Sequence, residues 1–151
     1  MGFSIRIIHV GRTGDLWRGP CSHYCSLLQR CVPVSLVAIK GSKGHGVATE
    51  QEGERLLERC LPGGYRAACT VQGATHDTRS FAAWLKDCRE SKSGLNLLLG
   101  GAHGIAESAV RKCHEQISFS PLTFPHELCL VVVLEQLYRA CTILSGHPYH
   151  K

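Results

Sequence analysis

Three stretches of this sequence bring together residue types that can do chemistry, at spacings that let them act jointly. Glu135 and Arg139 lie four apart in a helix-like run, with Tyr138 beside Arg139. On a helix such a pair are surface neighbours and can form an ion pair. The run is followed by His147-Pro148-Tyr149-His150, three polar aromatic groups in four residues. Histidine transfers protons near neutral pH, and both histidine and tyrosine stack on nucleic-acid bases. The second stretch is Gly100-Gly101-Ala102-His103-Gly104. Paired glycines let the backbone come close to a ligand and present its N–H groups. The spacing is not Gly-x-Gly-x-x-Gly and no Lys-Ser/Thr follows, so it is neither a dinucleotide fingerprint nor a phosphate-binding loop. The third is Ser120-Pro121-Leu122-Thr123-Phe124-Pro125-His126. Two prolines hold this segment in an irregular path, and Leu122 and Phe124 offer apolar walls for a flat ring. Each stretch also has a plain structural reading: a surface ion pair with a frayed tail, a tight turn, and a connecting loop.

Other features restrict the function classes. The nine cysteines are odd in number and scattered, with no Cys-x-x-Cys pair. They read as reduced thiols, mostly small apolar core residues. Cys21, His23 and Cys25 cluster in sequence, but on a helix His23 points away from the other two, so no metal site is expected. The longest unbroken apolar run, Leu128 to Leu134, has seven residues, against about 20 for a membrane span. Arg6 interrupts the apolar N-terminal stretch, and no cleavage-site pattern follows it. A cytoplasmic protein without a membrane partner is expected. The net charge is +5, and residues 1–49 hold Arg6, Arg12, Arg18, Arg30, Lys40 and Lys43 against Asp15 alone. Such an excess favours a polyanionic partner.

The elements that must position these residues follow from periodicity. The 151 residues suit one domain, 1–151. Ser4–Val10, Pro33–Ile39, Tyr65–Val71, Leu95–Leu99 and Gln116–Ser120 read as strands. Leu95–Leu99 has the run expected of a strand buried on both faces. Helices are expected over Leu16–Arg30 with Pro20 in the first turn, over Thr49–Cys60 with Thr49 as a cap, and from Asp77 or Thr78 to about Glu90. Two more are expected over Ile105–Cys113 and Leu128–Leu144. Lys40–Gly46 reads as a mobile basic loop. Strict alternation of strand and helix implies an α/β fold, a mainly parallel sheet flanked by helices. Ligands in such folds bind beyond the C-terminal ends of the strands, where the glycine turn and the Ser120–Pro125 segment lie.

Taken together, LLLGGAHG and ISFSPLTFPHELCLVVVLEQLYRACTILSGHPYHK resemble the C-terminal half of the ribosomal RNA large subunit methyltransferase H family, small SPOUT-class enzymes. The likeness is strong from Leu97 onward and looser before it. It implies a homodimer with a C-terminal trefoil knot, S-adenosylmethionine as cofactor, and methylation of N3 of a pseudouridine in 23S ribosomal RNA, within the ribosome. It places the cofactor contacts at Cys69, Gly101, Ser120, Pro121, Leu122, Thr123, Phe124 and Pro125. Three positions depart from the family pattern. Thr70 stands where an acidic residue is common, Ala74 where Lys is common, and Leu130 where Arg is usual. For the acceptor side the resemblance leaves the His147, Tyr149 and His150 tail with Arg139 as the catalytic group. Arg12, Arg18, Lys40 and Lys43 are the matching candidates for contact with the RNA backbone. Two alternatives use the same residues: a SPOUT enzyme acting on another RNA such as tRNA, or a cofactor- and RNA-binding module with weakened catalysis.

Overall fold

A computed structural model describes residues 2–151. Five strands form one sheet: β1 (Ile5–Val10), β2 (Val34–Ile39), β3 (Tyr65–Thr75), β4 (Leu95–Leu99) and β5 (Glu115–Ser118). Their spatial order is β2-β1-β4-β3-β5, and every pairing is parallel. Five helices connect them: α1 (Asp15–Gln29), α2 (Val47–Glu58), α3 (Thr78–Ser91), α4 (Glu107–Val110) and α5 (His126–Ser145). The α/β architecture read from the sequence is the architecture found.

Alternation along the strands divides the core in two. Ile5 and Ile7 of β1 and Leu95, Leu97 and Leu99 of β4 face α1, α3 and α5. Ile8, Val10 and Leu98 face the other way, onto Leu56 of α2. The central strand β4 is buried along its whole length, as its composition requires, but it includes a polar side chain. Asn96, fully buried, accepts from the Leu61 backbone N–H at 2.7 Å and so pins the turn between α2 and β3. On α5, Leu130, Val133, Leu134, Leu137, Ala140 and Cys141 make one buried stripe at helical spacing. The helix is long and apolar enough to cross a bilayer by composition, yet this stripe is part of the main core.

Several boundaries differ from those read in the sequence, each for a local reason. Pro20 lies inside α1, in its second turn, because the helix already starts at Asp15. Helix α2 starts at Val47, before Thr49. Gly46 takes the N-cap position at φ 64° and no side chain caps it. Strand β3 runs on to Thr75 through a register shift between Cys69 and Ala74. Gly73 sits there with its Cα against the Ile117 backbone: a Cβ would lie 2.6 Å from Ile117 N, so only glycine fits. Helix α4 is a four-residue turn. Helix α5 begins at His126, two residues before the expected Leu128. It ends in a Schellman arrangement, with Gly146 at φ 76° and the His147 N–H donating to the Thr142 carbonyl at 2.9 Å.

Candidate active site

A cavity of about 720 Å³ opens at the C-terminal edge of the sheet. Three chain segments enclose it. The first is Cys69 to Gln72, where β3 enters its register shift, the second is Leu99 through Ile105, and the third is Phe119 through His126, with Cys129 one turn into α5. Of the residues assigned to the cofactor, Cys69, Gly101, Ser120, Leu122, Thr123, Phe124 and Pro125 line this cavity. Pro121 lies within the third segment but is not part of the lining.

Each wall has a local cause. The glycine turn is closed by a Gly101–Gly104 bridge, with Gly104 at φ 74°. A Cβ on Gly100 would fall on the Gly104 carbonyl, and one on Gly101 would lie 3.1 Å from Val10 Cγ1. The turn is therefore as narrow as backbone allows. Ser120 Oγ accepts from the Leu122 N–H at 2.9 Å, and Ser118 Oγ donates to the Ser120 carbonyl at 2.9 Å. These two bonds fix the path of the proline loop. Leu122 is 71% exposed, a large apolar side chain at the cavity mouth with nothing packed over it. Burial holds the Cys69 thiol well above its ordinary range, with Cys129 and Cys113 adding to the effect. Cys69 thus presents a neutral, small, apolar surface.

Two histidines of this region received no role from the sequence. His126 lines the cavity and lies against Gly11, whose Cβ would be 3.7 Å from its Nε2. Behind it His9, 7% exposed, has its pKa lowered by burial and next by His126, against a raising backbone hydrogen bond at Gly11. The neighbouring Glu127 carboxylate accepts from the Gly14 N–H at 2.7 Å, tying the start of α5 to the loop that carries Arg12. The only sequence signal for His126 was its place at the end of the proline loop. For His9 there was none, because a histidine in an apolar strand reads as any other core position.

The tail residues form a separate cluster. Glu135 accepts from Arg139 Nε at 3.0 Å and from the Tyr149 hydroxyl at 3.0 Å. Arg139 Nη1 lies 3.1 Å from His150 Nδ1 and its guanidinium lies 4.9 Å from the Tyr149 ring centre. Tyr149 meets Tyr138 edge-on at 4.7 Å. Burial, then the hydrogen bond to Glu135, pushes the Tyr149 pKa up to about 12. Arg139 is held above its ordinary value chiefly by Glu135. Arg139, Tyr149 and His150 are therefore brought together, and the exposed His147 follows Gly146 close by. None of them lines the cavity. From Cys129 to Arg139 along α5 is roughly 15 Å at the ordinary helical rise.

The four basic candidates divide. Lys40 and Lys43 lie in the β2–α2 loop around a second hollow. Arg12 follows β1, and Arg18 is engaged with Asp15 at 2.8 Å on α1. Among the described residues no three His, Cys, Asp or Glu side chains are grouped to hold a metal.

Comparison with known proteins identifies the family. A family model described as "Predicted SPOUT methyltransferase" matches residues 3–150. A protein named Ribosomal RNA large subunit methyltransferase H from Stutzerimonas stutzeri is 42% identical over 97% of this chain and 99% of its own. Proteins of the same name from Ectopseudomonas mendocina (37% identical; 97% and 99%) and Gemmatimonas aurantiaca (36%; 89% and 86%) are also similar. With the family matched along nearly its whole length and the cavity formed by the expected segments, the chain belongs to the SPOUT methyltransferases, in the ribosomal RNA large subunit methyltransferase H family.

Proposed function

We propose that this protein transfers the methyl group of S-adenosylmethionine to N3 of a pseudouridine in 23S ribosomal RNA. The observation that carries the reading is the cavity. Its volume lies in the range of small-molecule and cofactor sites, its walls are Leu99, Ile105, Leu122 and Phe124, and its base is a glycine turn that a Cβ would fill. Such a site suits a molecule with a flat ring and a polar chain. Gly101, the Ser120–Pro125 loop and the Cys69 backbone hold the cofactor. When bound, it supplies a methyl group on a positively charged sulfur. Leu130, where the family usually has Arg, is 2% exposed on the core-facing stripe of α5. The departure therefore removes no side chain from the cavity.

An imide N3 is a poor nucleophile while protonated, so a group must take its proton as the N–C bond forms. The tail provides that group. Arginine has no acceptor, so a hydrogen bond between Arg139 and His150 requires a bare Nδ1 on His150. That lone pair is occupied, whereas no side-chain hydrogen bond of His147 occurs among the described residues. His147 is then the proton acceptor. Tyr149 stays protonated at neutral pH and orients or stacks on the base. Arg139 meets a phosphate or a carbonyl oxygen. Because the tail is about three helical turns from the cavity in its own chain, the protein works as a homodimer in which one protomer's tail completes the partner's cavity. A C-terminal trefoil knot belongs to the same proposal. It places the Phe119–Pro125 segment beside the glycine turn. Arg12, Arg18, Lys40 and Lys43 contact the RNA backbone, and the ribosome places the reaction in the cytoplasm.

The test is transfer of labelled methyl from S-adenosylmethionine to ribosomes and to total tRNA from a strain lacking the enzyme, with mass-spectrometric mapping of the product. One N3-methylated pseudouridine in 23S RNA is expected. Methyl groups found only in tRNA would overturn the acceptor assignment.

A further inference from the structure

A second hollow, of about 650 Å³, lies beside the cofactor cavity, with the His45 and His103 rings in contact between the two. Its cationic lining is Lys40, Lys43 and Arg55, with His45 and Ser42 between them. The β2–α2 loop is wound around Arg55, whose Nη1 donates to the Lys40 carbonyl at 3.0 Å and to Ser42 Oγ at 2.8 Å. None of these three cations is in an ion pair among the described residues, whereas Arg18, Lys86, Arg111 and Arg139 each are. The nearby acid, Glu52, is buried and turned inward. One of its oxygens accepts from the Ser42 N–H at 2.7 Å, and the other lies toward Gly101, 3.7 Å from where a Cβ would stand. Glu52 thus ties the loop to α2 beside the glycine turn and does not neutralise the outer face. The contact is a pair of imidazoles. The His45 ring lies 3.7 Å from the ring of His103, which itself lines the cofactor cavity.

Three unpaired cations around a hollow form a site for an oxyanion. The guanidinium fork and flexible ammonium groups are the usual means of holding a phosphate. We propose that this hollow seats a backbone phosphate of the RNA strand whose acceptor nucleotide enters the neighbouring cavity, with Arg55 and Lys43 as its principal ligands. The inference rests on the RNA-methylation reading. It adds a direction to it: the strand crosses the His45–His103 wall, so phosphate and reacting base are held by two loops that meet at that ring pair.

The test uses the full chain and deproteinised 23S RNA, with affinity followed across salt concentrations by filter binding. Arg55→Gln and Lys43→Gln should each weaken binding several-fold, and each should lower the salt slope by about 1, the value for one lost phosphate contact. Affinity for S-adenosylmethionine, read by calorimetry, should stay within about twofold, since neither side chain reaches the cofactor cavity. Arg55 also shapes its loop, so Arg55→Lys, which keeps the charge but not the fork, should recover most of the slope. Lys86→Gln, on α3, should leave the slope unchanged. An unaltered slope in both Arg55→Gln and Lys43→Gln would overturn the inference. Binding alone supplies this readout, so the result is separate from whether the wild-type chain methylates 23S RNA, which tests the reading beneath it.

Discussion

At the N-terminal end of α5 the chain encloses a cavity with loops and backbone; at the C-terminal end it folds four side chains onto one another around Glu135. The first arrangement is open, with apolar walls among polar groups, Leu122 exposed at its mouth and a glycine turn at its base. The second is polar and largely self-satisfied, with Glu135 accepting from Arg139 and Tyr149. A cavity whose loop is held by its own hydrogen bonds is prepared for a ligand. A cluster whose charges are already paired is prepared to hold a geometry. On the proposed reading the difference separates donor binding from acceptor chemistry, and it is the reason a homodimer is proposed: the two ends are held apart by one helix.

The separation is tested most severely by removing one end. A chain truncated after Ser145 should bind S-adenosylmethionine as the wild type does, while single-turnover methylation falls by at least about a hundredfold, the scale of losing a general base. Undiminished rates would show that the cavity works without the tail. Gly100→Ala is the complementary lesion. Its Cβ collides with the Gly104 carbonyl, so the turn must open, and affinity for S-adenosylmethionine should drop tenfold or more by the logic of backbone clashes. Co-expressing the two defective chains then decides the dimer. If tails act across the interface, a mixed dimer has one intact site, and about a quarter of wild-type activity should return on random pairing. If each tail serves its own cavity, none returns.

The same contrast explains what the sequence could disclose. The strands were legible because alternation and burial agree: Ile5, Ile7, Ile8 and Val10 divide between the two cores as a period of two demands. Two of the cavity's three segments were legible because glycine and proline mark loops directly; the third, in β3, entered only through Cys69 in the family likeness. Strand β3 was underestimated because Gly73, which reads as a stop, serves instead as the point where β3 shifts against Ile117. Glu135 and Arg139 could be paired by spacing, but the closing of Tyr149 and His150 onto them depends on the turn at Gly146 and has no local signature. His126, His9 and Glu52 were missed for the same reason. Their importance comes from what crosses them in space.

Within the tail, the two histidines should differ. His147→Gln should cut the methylation rate by about a hundredfold, as expected for a proton acceptor. His150→Gln retains a side chain able to accept from Arg139 and should cost less than about tenfold, the scale of one lost positioning contact. Equal losses would place the proton elsewhere. Glu135→Gln should have a still smaller effect on affinity for S-adenosylmethionine, near none, and a moderate one on rate, because it loosens Arg139 and Tyr149 together. Its distinctive sign is spectroscopic. The Tyr149 phenol, held up to about 12 by burial and then by Glu135, should titrate lower in the variant. An unmoved tyrosine titration would mean that burial alone sets it and that Glu135 does not organise the cluster.

The smallest effect belongs to the cavity end and concerns stability. His9 is nearly buried at the end of β1, and its pKa is lowered first by burial and then by His126. A lowered pKa means that, below the ordinary value of 6.5, the unfolded chain binds a proton that the folded chain refuses. Unfolded-state proton uptake in excess makes stability rise with pH. The contribution of His9 is therefore intact above that value and is lost as pH falls, at no more than about 1.4 kcal/mol per pH unit for one proton. Urea denaturation at pH 7.5 and 5.5 should show the wild type weakening toward acid. His9→Val, which removes the proton site and suits the strand, should weaken less over the same interval. A variant with the full acid dependence would show that the imidazole pair behind the cavity accommodates its charge, and that the cavity end is less tightly built than its burial implies.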